Sequence, residues 1–423
     1  MTLRFRAVLL AIASVLYLGA CGETFRPIAT PITSGGGDPQ VKRHAIVVSN
    51  NGPAADGSAT HVNISGDTNV GQVPLGQDPV HAGLASGGAV VFIANRASAS
   101  GKASVTGYSV FDQPTSPNLP LVTSLPDNSS PSYVFSTGGV TVYVALSGLN
   151  TVGVLTLGQA GLQTQIPVGT SPVAMGALPN AARLYVANQG SNDVSVVQTA
   201  DNTVVTTVPV GTQPSFIVTS ADNKFVYVVN KGSGTVTVIN AETNAVAGTP
   251  AVGASPVYAA FDAKNLRVYI ANSGTNTITS INADSNSANF LATSTITVGA
   301  GPVSLTPLTD GSRIYVANSG SNSISVVNAL SLTVQNTLTV PVTAGALLKP
   351  VSIASSTDST KVVVAFQDTA AVTATDADES AIVTIRTSDH TLTNIPTPTS
   401  PSACVSATPG WCRMKPVFVV VTP

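Results

Sequence analysis

Arg183-Leu184-Tyr185-Val186-Ala187-Asn188-Gln189-Gly190 decides the architecture, because the chain writes it again and again. It returns as Arg267-Val268-Tyr269-Ile270-Ala271-Asn272-Ser273-Gly274 and as Arg313-Ile314-Tyr315-Val316-Ala317-Asn318-Ser319-Gly320, with a close variant from Phe225 to Gly232. An alternating run follows each copy, such as Val194-Ser195-Val196-Val197 or Val236-Thr237-Val238-Ile239. A further β-rich run then ends in Gly-x-x-Pro, at Gly169–Pro172, Gly211–Pro214, Gly253–Pro256 and Gly299–Pro302. β-Branched and aromatic runs punctuated by Asn, Gly and Pro read as short strands and tight turns.

The closing prolines stand at 131, 172, 214, 256, 302 and 350, in steps of 41, 42, 42, 46 and 48. Four strands per unit at that period predict an all-β fold, a β-propeller of four-stranded antiparallel blades. Within a unit, lettering strands A to D outward from the axis, the Val, Ile and Tyr of strand B pack between blades. Asn-x-Gly suits the turn after it, with Gly accepting positive φ, and Gly-x-x-Pro opens the next strand A.

This wording resembles the YVTN family of bacterial and archaeal β-propellers, from residue 43 to 423 and most strongly from 173 to 330. The resemblance implies a propeller in an extracytoplasmic setting and no single activity. B-type strands fall near residues 46, 91, 142, 184, 226, 268, 314 and 362, whereas A-type strands follow seven prolines from Pro79 to Pro350. The missing strand A is Lys415–Val421, whose Lys-Pro-Val-Phe-Val is similar to Gln213-Pro214-Ser215-Phe216-Ile217. Eight blades are therefore expected, with the C-terminal strand pairing onto the N-terminal blade so that no sheet edge stays open. Seven, the family's commoner number, would require a degenerate terminal unit.

Ahead of the repeats, Arg4 and Arg6 precede an apolar run from Ala7 to Leu18, the pattern of an export signal. Leu18-Gly19-Ala20-Cys21 resembles the bacterial lipobox, which implies lipidation of Cys21; an ordinary cleaved signal is the other reading. The expected organisation is a signal peptide at 1–20, a lipidated Cys21 with a flexible tether at 21–41, and one propeller domain at 42–423. The protein would then sit on the outer membrane or cell surface, periplasmic or extracellular. There Cys404 and Cys412 would close a nine-residue loop as a disulfide, worth about 2–3 kcal/mol.

Asp, Glu, Lys and Arg make up only 9% of the 423 residues and the net charge is −2, against about 25% charged in ordinary proteins. That leaves no electrostatic footprint for nucleic acid. Catalytic signatures are equally sparse. The sequence holds no Cys-x-x-Cys-His and no Gly-x-Ser-x-Gly, and His44, His61, His81 and His390 are scattered without metal-ligand spacing. No cofactor or metal is expected. His44 and His81, near strand starts, read as structural or solvated, and Asp376-Ala377-Asp378-Glu379 reads as a solvated loop.

Departures from the repeat point to a working surface. From the Asn slot ending strand B to the start of strand C the step is six in units three to seven. It is twelve in unit one (Asn50 to Val62), thirteen in unit two (Asn95 to Tyr108) and sixteen in unit eight (Phe366 to Ile382). In a closed ring these three units are neighbours, and the long connections 341–350 and 395–416 emerge on the same face. The expected binding face carries Asp56, His61, Arg96, Lys102, Asp376, Asp378, Glu379, Trp411 and Arg413. The leading expectation is a monomeric, lipid-anchored scaffold of the cell envelope that binds a protein or glycan. The alternatives are a lactonase- or hydrolase-type propeller enzyme with a channel site, and an accessory lipoprotein of outer-membrane protein assembly. A channel enzyme would place acidic or histidine side chains on A strands, whose sequences here look apolar or small.

Overall fold

In a computed structural model of the chain, the residues described are 44–50, 56–97, 102–110, 121–339, 348–368, 381–395 and 415–422. Among them the strands form seven antiparallel sheets, six of four strands and one of seven. The seven-stranded sheet holds two blades that share one long strand, Thr68–Ala85. Its first half pairs with Asp56–Asn63 and its second half with Val90–Ala97. It is therefore the outermost strand of blade 1 and the innermost of blade 2, and the described strands make eight blades of four.

Blade 4 shows the unit: Pro172–Ala177, Arg183–Asn188, Asp193–Gln198 and Thr203–Pro209, from axis to rim. Burial falls outward along it. Leu184, Tyr185, Val186 and Ala187 of strand B are fully buried, while most of strand D is exposed. A strand covered by a blade on each face has no solvent side, so its sequence is continuously apolar instead of alternating. Tyr143, Tyr185, Tyr227, Tyr269 and Tyr315 occupy the same strand B position in blades 3 to 7, all fully buried.

Closure follows the expected route. Lys415–Val421 pairs antiparallel with His44–Asn50, with Val47 opposite Val419. The same strand lies against the innermost strands of blades 8 and 2, completing a ring in which every strand A touches the next.

The register corrects two loop lengths. The proline opening each strand A stands opposite Asn188, Asn230, Asn272 and Asn318 in blades 4 to 7, but opposite Ser49 in blade 1. Strand C begins at Asp56 in blade 1 and at Ser104 in blade 2, so Val62 and Tyr108 lie near the strand ends. The paired residues flanking the B–C turn are nine apart in blade 1 (Ser49, Ser58) and in blade 2 (Asn95, Ser104). They are fifteen apart in blade 8 (Phe366, Ala381) and five apart in blades 3 to 7, as in Asn188 and Asp193. The residues ahead of Val62 and Tyr108 are thus paired strand and not loop.

A second correction concerns the Asn-x-Gly turn. Positive φ is held by Asn150, Asn192, Asn276, Asn322 and Gly234, two residues beyond the glycine. The glycine serves close approach: a Cβ on Gly190 would lie 3.1 Å from the Thr170 carbonyl oxygen. The side chain of Asn192 accepts a hydrogen bond from the Gln213 amide at 2.8 Å, tying the turn of blade 4 to the entry of blade 5.

Candidate functional site

Two assemblies have the makings of a site, one on the axis and one at the turns above it. The axial one is built by the second residue after each strand A proline. These are Phe418, His81, Tyr133, Ala174, Phe216, Tyr258, Ser304 and Ser352, taken in order around blades 1 to 8. Five of the eight are rings, and they pack on one another. His81 stacks on Tyr133 with centroids 3.7 Å apart and touches Phe418 at 4.5 Å. Across the small Ala174, Tyr133 meets Phe216 edge-on at 6.4 Å, and Phe216 meets Tyr258 at 4.6 Å. Stacked and edge-to-face rings at these separations add about 0.5–1.5 kcal/mol per pair beyond their buried area.

Of the structural and solvated places that the sequence allows His81, it takes the structural one. Burial drives its imidazole down to about 3, with a smaller opposing effect from the Val134 amide. That amide donates to Nδ1 at 3.4 Å, so the neutral ring carries its proton on Nε2. An imidazole held this far below neutrality is a weak base and carries no charge for an anion. Burial likewise raises the phenols of Tyr133 and Tyr258. No group of three or more His, Cys, Asp or Glu positioned for a metal occurs among the described residues. The pattern Pro-x-ring was visible in five A strands, yet nothing in one strand says that its ring meets four others.

The second assembly is the described part of the expected binding face. Asp78 joins blades 1 and 2 there: its carboxylate accepts from Asn50 Nδ2 at 2.7 Å and pairs with Arg96 at 3.5 Å. Lys102 pairs with Asp127 at 3.2 Å, across to the entry of blade 3. All four ion-pair partners are at least a third exposed, so these pairs contribute about 0–1 kcal/mol each and leave their charges open to a ligand. Asp56 is exposed at the start of its strand.

His61 does not belong to this face. It lies inside strand Asp56–Asn63 with 1% exposure, its Nε2 2.9 Å from the Tyr108 hydroxyl of blade 2. Burial, with His44 as a lesser cause, lowers it to about 4. Starting strand C at Val62 puts His61 on a loop, whereas the strand begins at Asp56 and includes it. Asp376, Asp378, Glu379, Trp411 and Arg413 lie outside the described residues, as do Cys21, Cys404 and Cys412.

Residues 198–308 match a lactonase family described as a 7-bladed β-propeller. The match is about a quarter of this chain and ends before the ring closes. No curated protein sequence matches the chain. Among solved structures, dihydro-heme d1 dehydrogenase NirN superposes with a TM-score of 0.66 at 13% identity, over 87% of this chain and 76% of that one. Apo AztD from Citrobacter koseri gives 0.62 at 12% identity, over 90% and 99%. A candidate 6-phosphogluconolactonase from Bacteroides uniformis gives 0.53 at 16%, over 71% and 97%. At these identities the likeness is one of fold.

Proposed function

We propose that this protein is a binding scaffold of the cell envelope, tethered through a lipid on Cys21. Its working surface is the face formed by the B–C and D–A connections of blades 8, 1 and 2. The observation that carries this reading is the axial layer of rings. A channel-borne catalytic site needs open space and polar or metal-holding groups; here five of the eight axial positions are taken by packed rings, an uncharged histidine among them, and the other three by alanine and serine. Recognition is then left to the connections, where the turns of blades 1, 2 and 8 are longer than elsewhere. The YVTN-like wording and the lipobox-like Leu18–Cys21 support an exported, surface-held protein. In that setting Cys404 and Cys412 pair and brace the last connection.

The test compares the chain begun after Cys21 with a variant whose residues 98–101 and 369–380 are shortened to the common turn. One envelope protein or glycan retained by the parent and lost by the variant supports the reading. Retention by both forms removes the assignment of the face. Labelling with radioactive palmitate, expected for the full chain and lost in Cys21→Ser, tests the anchor.

The match at residues 198–308 favours a second reading, an enzyme opening small lactones. Turnover of gluconolactone above the uncatalysed rate by the parent chain would replace the scaffold reading.

A further inference from the structure

The first residue of strand B is a cation in four blades: Arg183, Arg267, Arg313 and Lys361. In three of them it performs one task. Arg183 donates to the Ala241 carbonyl at 2.7 Å, Arg313 to the Thr387 carbonyl at 2.8 Å, and Lys361 to the Ile64 carbonyl at 2.8 Å. Each acceptor is the residue just after strand C of the following blade, so the cation ties one blade to the next.

Arg267 has lost that task. The equivalent carbonyl, that of Ala329, accepts instead from the Tyr269 hydroxyl at 3.4 Å. The Arg267 side chain turns back onto its own blade, where its one hydrogen bond among the described residues is a 3.5 Å contact to Ser280 Oγ. Ser280 is itself a departure. The corresponding residues opposite the buried tyrosine in blades 3, 4, 5 and 7 are Val154, Val196, Val238 and Val326. A hydroxyl at a position 3% exposed is destabilising unless something hydrogen-bonds it.

Beside the pair lies a cavity of about 460 Å³, whose lining includes Lys264, Arg267, Ser280, Asn282, Asn289 and Ser294. Its outer wall is the C–D connection of blade 6. That connection runs ten residues, 283–292, against four or five in blades 4, 5, 7 and 8. Phe290 anchors it on Phe225 of blade 5, with centroids 4.9 Å apart. Lys264 and Arg267, with no carboxylate at ion-pairing distance among the described residues and with amides and hydroxyls around them, suit a ligand with one anionic group and several hydroxyls. Asp284 also lines the cavity, and its carboxylate is an acceptor for such a hydroxyl. We propose that Arg267, Ser280 and the 283–292 connection form a binding site for small hydroxylated carboxylates of the sugar-acid class. A–B and C–D turns emerge opposite the B–C turns, so this site lies on the face away from the proposed scaffold surface and stands independently of it.

The test is calorimetric titration of the full chain with glucuronate, digalacturonate, glucose and inorganic phosphate. Glucuronate is expected to bind, and Arg267→Gln to weaken it about tenfold or more, while Arg183→Gln leaves it within about twofold. Ser280→Val restores the repeat residue, so it should keep or raise the melting temperature while weakening glucuronate. Tighter binding of digalacturonate would mark a glycan as the source, and equal binding a free sugar acid. No saturable glucuronate binding, or binding indifferent to both substitutions, overturns the site. Phosphate or glucose binding as tightly as glucuronate overturns the ligand class.

Discussion

The amide of Asn188 fills the space that a side chain on Gly169 would need: a Cβ there would lie 2.6 Å from Asn188 Nδ2. The same relation links Gly76 to Asn95, Gly211 to Asn230, Gly253 to Asn272 and Gly299 to Asn318. Each asparagine is fully buried and its Nδ2 donates to two side chains of strand C, as in Asn188 to Asp193 and Ser195 at 2.7 and 2.9 Å. Where strand B ends in Leu146, the glycine position holds Asn128. In blades 2, 4, 5, 6 and 7 glycine and asparagine are thus one device that seats the entry of the blade on the end of its own strand B.

Gly169→Ala should therefore destabilise the fold by about 1–3 kcal/mol through overpacking. The effect should shrink in part when Asn188→Ala is made in the same chain, because one of three clashing atoms is gone while Ser191 Oγ and Asp193 Oδ1, at 2.5 and 2.6 Å from the added Cβ, remain. Urea unfolding of the two single variants and the double gives the coupling. Additive effects would show that the contact does not matter.

The two acceptors also set what each asparagine tolerates. Asn188→Asp places a buried carboxylate against Asp193, so it should cost about 3 kcal/mol or more. Asn230 donates to Thr235 and Thr237 at 3.1 and 2.9 Å. Those hydroxyls can turn to donate, and Asn230→Asp should be milder. Equal losses of melting temperature in the two variants would refute the distinction.

His81 and His61 make stability depend on pH. Burial lowers them to about 3 and about 4, from an ordinary value of 6.5. Below about pH 6.5 the unfolded chain takes up protons that the folded chain refuses, so stability falls with pH until each folded value is reached. Each histidine contributes a slope of about 1.4 kcal/mol per pH unit at full effect. Unfolding free energy should already decline between pH 6.5 and 5, above the carboxylate range, and His81→Phe with His61→Gln should flatten the decline. A flat profile in the parent would contradict the burial of both.

Removing residues 415–423 strips blade 1 of its strand A and leaves Ala45, Val47 and Val62 without Val419. The midpoint of thermal unfolding should drop by about 10 °C or more and the transition should broaden. A truncated chain that melts like the parent would mean that the ring is held elsewhere.

The blade unit, the eightfold count and the closing strand are legible in the sequence because they rest on periodicity, and a repeat that buries both faces of strand B cannot hide its pattern. Loop lengths were less legible. Ser-Ala-Thr-His at 58–61 and Ser-Val-Thr-Gly at 104–107 are strands with too few large apolar residues to announce themselves. Counting them as loop placed His61 on the surface.

The sequence by itself determined the propeller, since strand pattern, turn residues and Gly-x-x-Pro spacing act locally and repeat. The tertiary structure decided which repeat residues are ordinary. Arg183, Arg267 and Arg313 stand in the same words, yet only Arg267 loses its neighbour's carbonyl to Tyr269. His81 becomes part of an axial ring layer only when four other blades bring their aromatic side chains to it. Both outcomes depend on atoms from other blades, and those contacts exist only once the ring has closed.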